Sequence, residues 1–147
     1  MKIGFIGLGI MGAPMAGHLL AAGHTLHVNT VGKVPAAITE AGATVCVTGK
    51  EVAQKADIVI VMVPDTPDVA AVLFSENGVA SGLSKGKTVV DMSSISPIET
   101  KQFAKKINER GCDYLDAPVS DGELGAKAAS LTIMVGGPEA AFNLVKP

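Results

Sequence analysis

The segment Phe5-Ile6-Gly7-Leu8-Gly9-Ile10-Met11-Gly12-Ala13-Pro14-Met15-Ala16-Gly17-His18-Leu19 decides how this chain is read. Residues 2–6, apolar after Lys2, predict a short buried strand. Gly7-x-Gly9-x-x-Gly12 follows at once, and Met11, Met15, Ala16, Leu19 and Leu20 then recur at helical spacing until Gly23 supplies a stop. Pro14 falls near the first turn, where its missing N–H costs least. In a strand–turn–helix of this kind each glycine has a task. Gly7 permits the tight turn, Gly9 lets backbone approach a pyrophosphate, and Gly12 lets the helix pack against the strand. The helix start adds unpaired N–H groups and about half a positive charge. The pattern predicts a dinucleotide site on Gly7, Leu8, Gly9, Ile10, Met11 and Gly12. The alternative is a glycine-rich turn that holds no ligand.

Residues 25–28 predict the second strand. An acid about 20 residues past the loop would bind a ribose 2′-OH and favour NAD. This chain reads His27-Val28-Asn29-Thr30-Val31-Gly32-Lys33, with no acid. Asn29 and Thr30 are placed to donate to a 2′-phosphate, with Lys33 near by, so NADP is favoured over NAD.

Further along, a short helix over 35–41 and a strand over 43–47 are expected. Thr48 and Glu51 form a capping box opening a helix to residue 56. Residues 57–63 make the most apolar strand. Thr66 caps a helix with Pro67 at its first position, and 87–91 is a fifth strand. Ser96, Pro97 and Glu99 open another helix that Gly111 closes. Strands over 112–115 and 131–135 follow, and a last helix starts at Gly137-Pro138. Strands alternating with helices over short loops predict an α/β fold, a doubly wound Rossmann-type, mainly parallel sheet with helices on both faces. Ligands sit beyond the carboxyl ends of such strands, which places Met62, Val63, Pro64, Ser93 and Ser94 beside the nicotinamide half of a dinucleotide.

Composition excludes several classes. The chain has 147 residues, 48% hydrophobic and only 3% aromatic, with a formal charge of −2. High hydrophobicity with low charge excludes disorder. Eleven of its basic residues are scattered lysines and Arg110 is the sole arginine, which argues against a nucleic-acid partner. Residues 3–32 carry no Asp, Glu, Lys or Arg and mimic a leader or membrane segment. Glycines and Pro14 interrupt that stretch and its period changes midway, so neither is expected. Cys46 and Cys112 are far apart and read as buried reduced thiols, which makes the cytoplasm the expected compartment. No spacing of His, Cys, Asp or Glu suggests a metal. Asp91 and Asp116 end strands and read as structural hydrogen-bonding groups.

Four motifs together carry a resemblance. They are the glycine segment, Met62-Val63-Pro64-Asp65-Thr66-Pro67, Asp91-Met92-Ser93-Ser94-Ile95-Ser96-Pro97 and Asp116-Ala117-Pro118-Val119-Ser120. The chain resembles, over its whole length, the β-hydroxyacid dehydrogenase family, which reduces small aldehyde acids with NAD(P)H or runs the reverse oxidation. The second and third motifs are most similar to its tartronate semialdehyde reductase branch. The resemblance implies a small anionic aldehyde or hydroxy acid as substrate and a homo-oligomer for the full-length enzyme. It places Ser93 and Ser94 near the nicotinamide ribose or substrate, and Ser120, Asp121 and Gly122 on the substrate carboxylate. The family's catalytic lysine, its neighbouring asparagine and an all-helical second domain follow later in the family's sequence. Residues 1–147 are therefore expected to form an NAD(P)-binding domain, incomplete at its C-terminal end, without a catalytic group of its own. The alternative is a binding module without turnover. The family's Ser-Gly-Gly is Ser120-Asp121-Gly122 here. A carboxylate about 4 Å from a substrate carboxylate costs roughly 4 kcal/mol at an effective dielectric near 20, unless it turns into solvent. The family's Gly-Thr before the next strand is Ala129-Ser130.

Overall fold

The computed structural model describes residues 2–8, 12–30, 36–40, 42–46, 48–63, 66–75, 78–92, 97–116, 119–120 and 132–133. Six parallel strands form one sheet: β1 (Lys2–Ile6), β2 (Thr25–Asn29), β3 (Thr44–Val45), β4 (Ile58–Val61), β5 (Thr88–Asp91) and β6 (Asp113–Asp116). Their order is β3-β2-β1-β4-β5-β6, so the chain reverses direction across the sheet between β1 and β4. That reversal opens the crevice where doubly wound sheets take ligands.

The helices are α1 (Gly12–Ala21), α2 (Ala36–Glu40), α3 (Gly49–Lys55), α4 (Thr66–Phe74), α5 (Val79–Gly82) and α6 (Pro97–Asn108). Side chains alternate across each strand, and the two faces meet different helices. Ile3, Phe5, Leu26 and Val28 pack with Ala16 of α1 and Ile38 of α2. Ile6, Val59, Val61, Val89 and Tyr114 pack with Val52 of α3, Val69 and Leu73 of α4, Val79 of α5, and Phe103 and Ile107 of α6. Each fully buried Val, Leu, Ile or Phe stabilises the fold by about 1.5–3 kcal/mol. The expected doubly wound sheet with helices on both faces is what forms.

Local signals act as read. The Thr48 hydroxyl accepts from the Glu51 N–H at 3.2 Å to open α3. Lys87 Nζ donates to the Ala53 and Gln54 carbonyls at the other end of α3, matching cation to helix C-terminus. Pro97 is the first residue of α6, and Gly111 takes φ +77° after it. Phe74 of α4 meets Phe103 of α6 at 5.4 Å between ring centroids, and Lys106 lies 4.9 Å above Phe74.

Helix α4 begins at Thr66. Two departures are physical. Helix α5 has only four residues, too few to show a period in sequence. The strand expected over 131–135 is described at Thr132–Ile133 (β8), which pairs antiparallel with β7 (Val119–Ser120) in a separate two-stranded sheet. The helix expected from Gly137 lies outside the described residues. Both cysteines are buried free thiols, as read, and burial raises the Cys46 thiol above its usual range.

Two buried polar atoms lack a hydrogen-bond partner among the described residues: Thr88 Oγ1 and His27 Nδ1. Thr88 sits 1% exposed in β5. Replacing it by Val keeps the shape and removes an orphan hydroxyl, so Thr88→Val is expected to gain about 1 kcal/mol. The urea midpoint should rise with an unchanged m value. Burial lowers the His27 pKa, and Lys55 and Lys2 add to the shift. The unfolded chain, titrating near 6.5, then takes up the proton first. Stability from neutral His27 is full above that pH and is lost as pH falls through it. Unfolding midpoints measured between about pH 7.5 and 6 should fall more steeply for wild type than for His27→Val.

Candidate cofactor site

The site is built where β1, α1 and β4 meet. Gly7 leaves β1 at φ +99°, a left-handed conformation that an L side chain resists by about 1–2 kcal/mol. A Cβ at Gly7 would also collide with the Met62 carbonyl just past β4 and lie 3.1 Å from Val63 Cγ1. A Cβ at Gly12, the first residue of α1, would collide with the Gly7 carbonyl and press on the Phe5 ring at 3.2 Å. The first and third glycines are therefore packed backbone on backbone, and the helix N-terminus is drawn tight to the strand end. Such a cradle, closed to side chains and set at a helix N-terminus, fits a pyrophosphate.

Strand β2 fastens the loop from the other side. The Gly7 N–H donates to the Asn29 carbonyl at 3.0 Å, and the Leu8 N–H donates to Thr30 Oγ1 at 3.1 Å. Leu8 is buried against the α1 face of the sheet. The Asn29 side-chain amide donates to the Cys46 carbonyl at 2.9 Å, tying β2 to the end of β3. Thus Gly7, Leu8, Gly12, Asn29, Thr30, Met62 and Val63 lie together at the carboxyl ends of β1, β2 and β4. Gly9, Ile10, Met11, Pro64, Ser93, Ser94, Asp121 and Gly122 lie outside the described residues. Ser120 is placed by its backbone in β7, opposite Thr132.

The carboxyl ends of β5 and β6 carry an acidic pair. Asp91 and Asp116 are register partners on adjacent strands. Asp91 is completely buried, and the Tyr114 hydroxyl donates to its Oδ2 at 2.7 Å, the structural role expected of that acid. Burial pushes the Tyr114 hydroxyl far above its usual range, with the Asp91 charge adding to the effect, so it stays a donor. Burial and the Asp91 charge likewise raise the Asp116 carboxyl. The Tyr114–Asp91 and Thr30–Leu8 bonds join residues 23 and 22 apart in sequence and leave no local pattern. A threonine standing where an acid is usual was the only written hint of the second. Among the described residues, no cluster of His, Cys, Asp and Glu is arranged to hold a metal, and no helix is long and apolar enough to cross a membrane.

Known proteins agree with this geometry. The chain is 60% identical over all its length to 2-hydroxy-3-oxopropionate reductase of Escherichia coli strain K12, covering 50% of that protein. Among solved structures, 3-hydroxyisobutyrate dehydrogenase of Mycobacterium tuberculosis with L-serine superposes at TM-score 0.87 and 33% identity, over 99% of this chain and 50% of that one. Psf3 in complex with NADP+ and 2-OPP does so at TM-score 0.90 and 29% identity, over 99% and 52%. The chain spans about half the length of the curated relatives it matches. The domain family described as the NAD binding domain of 6-phosphogluconate dehydrogenase matches residues 2–147, and with the glycine cradle at its switch point this chain belongs to that family.

Proposed function

We propose that this chain is the cofactor-holding part of an NAD(P)-dependent reductase converting tartronate semialdehyde, 2-hydroxy-3-oxopropionate, to glycerate. The observation that carries the reading is 60% identity to the E. coli reductase along the entire chain. Reduction of an aldehyde needs a hydride donor held against the carbonyl carbon and a proton for the forming alkoxide. The nicotinamide cofactor supplies the hydride when bound. Gly7 through Gly12 hold its pyrophosphate, with Met62, Val63, Pro64, Ser93 and Ser94 along its nicotinamide half. Ser94, Ser120, Asp121 and Gly122 receive the substrate carboxylate. The proton donor is the lysine that the family resemblance places beyond residue 147, on the helical domain that also builds a homo-oligomer. The enzyme works in the cytoplasm.

NADP is the favoured cofactor. The end of β2 offers Asn29 and Thr30, both neutral, with Lys33 close in sequence. A carboxylate about 4 Å from a 2′-phosphate would cost roughly 4 kcal/mol per unit charge at an effective dielectric near 20, and residues 27–33 carry none.

The full-length protein is expected to oxidise NADPH with tartronate semialdehyde as acceptor, faster than with the semialdehyde of 3-hydroxyisobutyrate. Residues 1–147 alone should bind NADPH without turnover. Turnover by the isolated segment would disprove the assignment of the proton donor, and no activity of the full-length protein on tartronate semialdehyde would disprove the substrate. For the cofactor, titration of intrinsic or NADPH fluorescence should give a lower Kd for NADPH than for NADH. Thr30→Asp should invert that preference by at least about tenfold.

A further inference from the structure

We infer that Thr30 is a positioning residue that sets the shape of the glycine loop, and through it the affinity for the pyrophosphate, without regard to the 2′ substituent. The inference rests on the cofactor reading above and adds a role at a residue otherwise read as facing the ribose.

Two successive loop amides are already engaged. Gly7 N–H goes to the Asn29 carbonyl and Leu8 N–H to Thr30 Oγ1. The first bond is main chain to main chain and survives any side-chain change. The second depends wholly on one hydroxyl oxygen, 22 residues away. The Leu8 side chain is 6% exposed and locked among Phe5, Ala16 and Val28. Its peptide therefore has little freedom to turn and find water once the acceptor is removed. With both amides spent inside the protein, neither is a donor to a phosphate, and the held Leu8 peptide fixes the direction in which the chain enters the rest of the glycine motif. On the far side, β2 is itself braced. Asn29 donates to the Cys46 carbonyl, and the Cys46 N–H donates to the Val28 carbonyl at 2.7 Å. Thr30 thus transmits a fixed strand end to the loop.

The test uses the full-length protein and the variants Thr30→Val, Thr30→Ala and Thr30→Ser, with thermal unfolding to confirm that each folds. Valine keeps the shape and removes the acceptor. Alanine removes both, and serine keeps the oxygen. Kd is measured for NADPH, NADH, ADP-ribose and AMP. Valine and alanine should weaken the first three by one common factor, about tenfold, because losing an acceptor for a buried N–H leaves that group unsatisfied. AMP, which lacks a pyrophosphate, should be unchanged, and serine should restore wild-type values. Exchange of the Leu8 amide hydrogen should speed up in the valine and alanine variants only. A loss confined to NADPH makes Thr30 a direct ligand of the 2′-phosphate and overturns the inference, as does unchanged affinity for all ligands. If wild type binds neither NADPH nor NADH, the cofactor reading fails. Leu8 exchange then still decides whether Thr30 clamps the loop.

Discussion

Everything at the carboxyl edge of the sheet depends on one steric constraint: three stretches of backbone share a space too small for a side chain. The turn after β1, the first residue of α1 and the peptide after β4 touch through Gly7 and Gly12. A Cβ at either position would push α1 off the sheet or β4 away from β1. Because β4 is bonded onward to β5, with the Met92 N–H donating to the Val61 carbonyl at 2.8 Å, the displacement would spread along the sheet. The same closeness brings the N-terminus of α1 to the mouth of the crevice. The packing that stabilises the fold is also what brings to that mouth a helix start of the kind that suits an anion.

The two halves of that edge differ in charge. At β2 the side chains are neutral and already bonded within the protein, so a phosphate approaching there meets no carboxylate among Asn29 and Thr30. At β5 and β6 two acids stand opposite each other, yet their field is moderated. Tyr114 donates to Asp91, while burial and the Asp91 charge raise the Asp116 carboxyl above its usual range. Like charges on adjacent strands also explain why a tyrosine, buried and kept protonated, is built into an aliphatic core with little other aromatic content.

Local chemistry was legible and distant pairing was not. The Thr48–Glu51 cap and the proline start of α6 could be read because each is decided within four residues. The sheet could be read because strand and helix patterns alternate, and parallel strands need crossovers. Of the strand expected over 131–135, the described residues Thr132 and Ile133 are strand, but their partner was not legible. Its two paired residues join β7 in an antiparallel ladder, and a run of apolar residues does not tell one partner from another. Helix α5 is shorter than the period that would reveal it. At the site, the glycines were legible because their requirement is written in the residue itself. Tyr114 on Asp91 and Thr30 on Leu8 were not, because a hydrogen bond across the sheet needs the register before it can be seen.

That difference bears on what a glycine-rich turn means. Gly-x-Gly-x-x-Gly states only where side chains are excluded, and many turns satisfy it without a ligand. Discrimination comes from the accounting of amides around it. Here the Asn29 carbonyl and the Thr30 hydroxyl use up the first two donors, so the turn cannot collapse to satisfy them internally in some other way. An α-helix leaves its first N–H groups without a partner inside the helix, and water or an anion is the usual acceptor. A loop closed in this way gives up conformational freedom in the free protein, so less entropy is lost when a pyrophosphate binds.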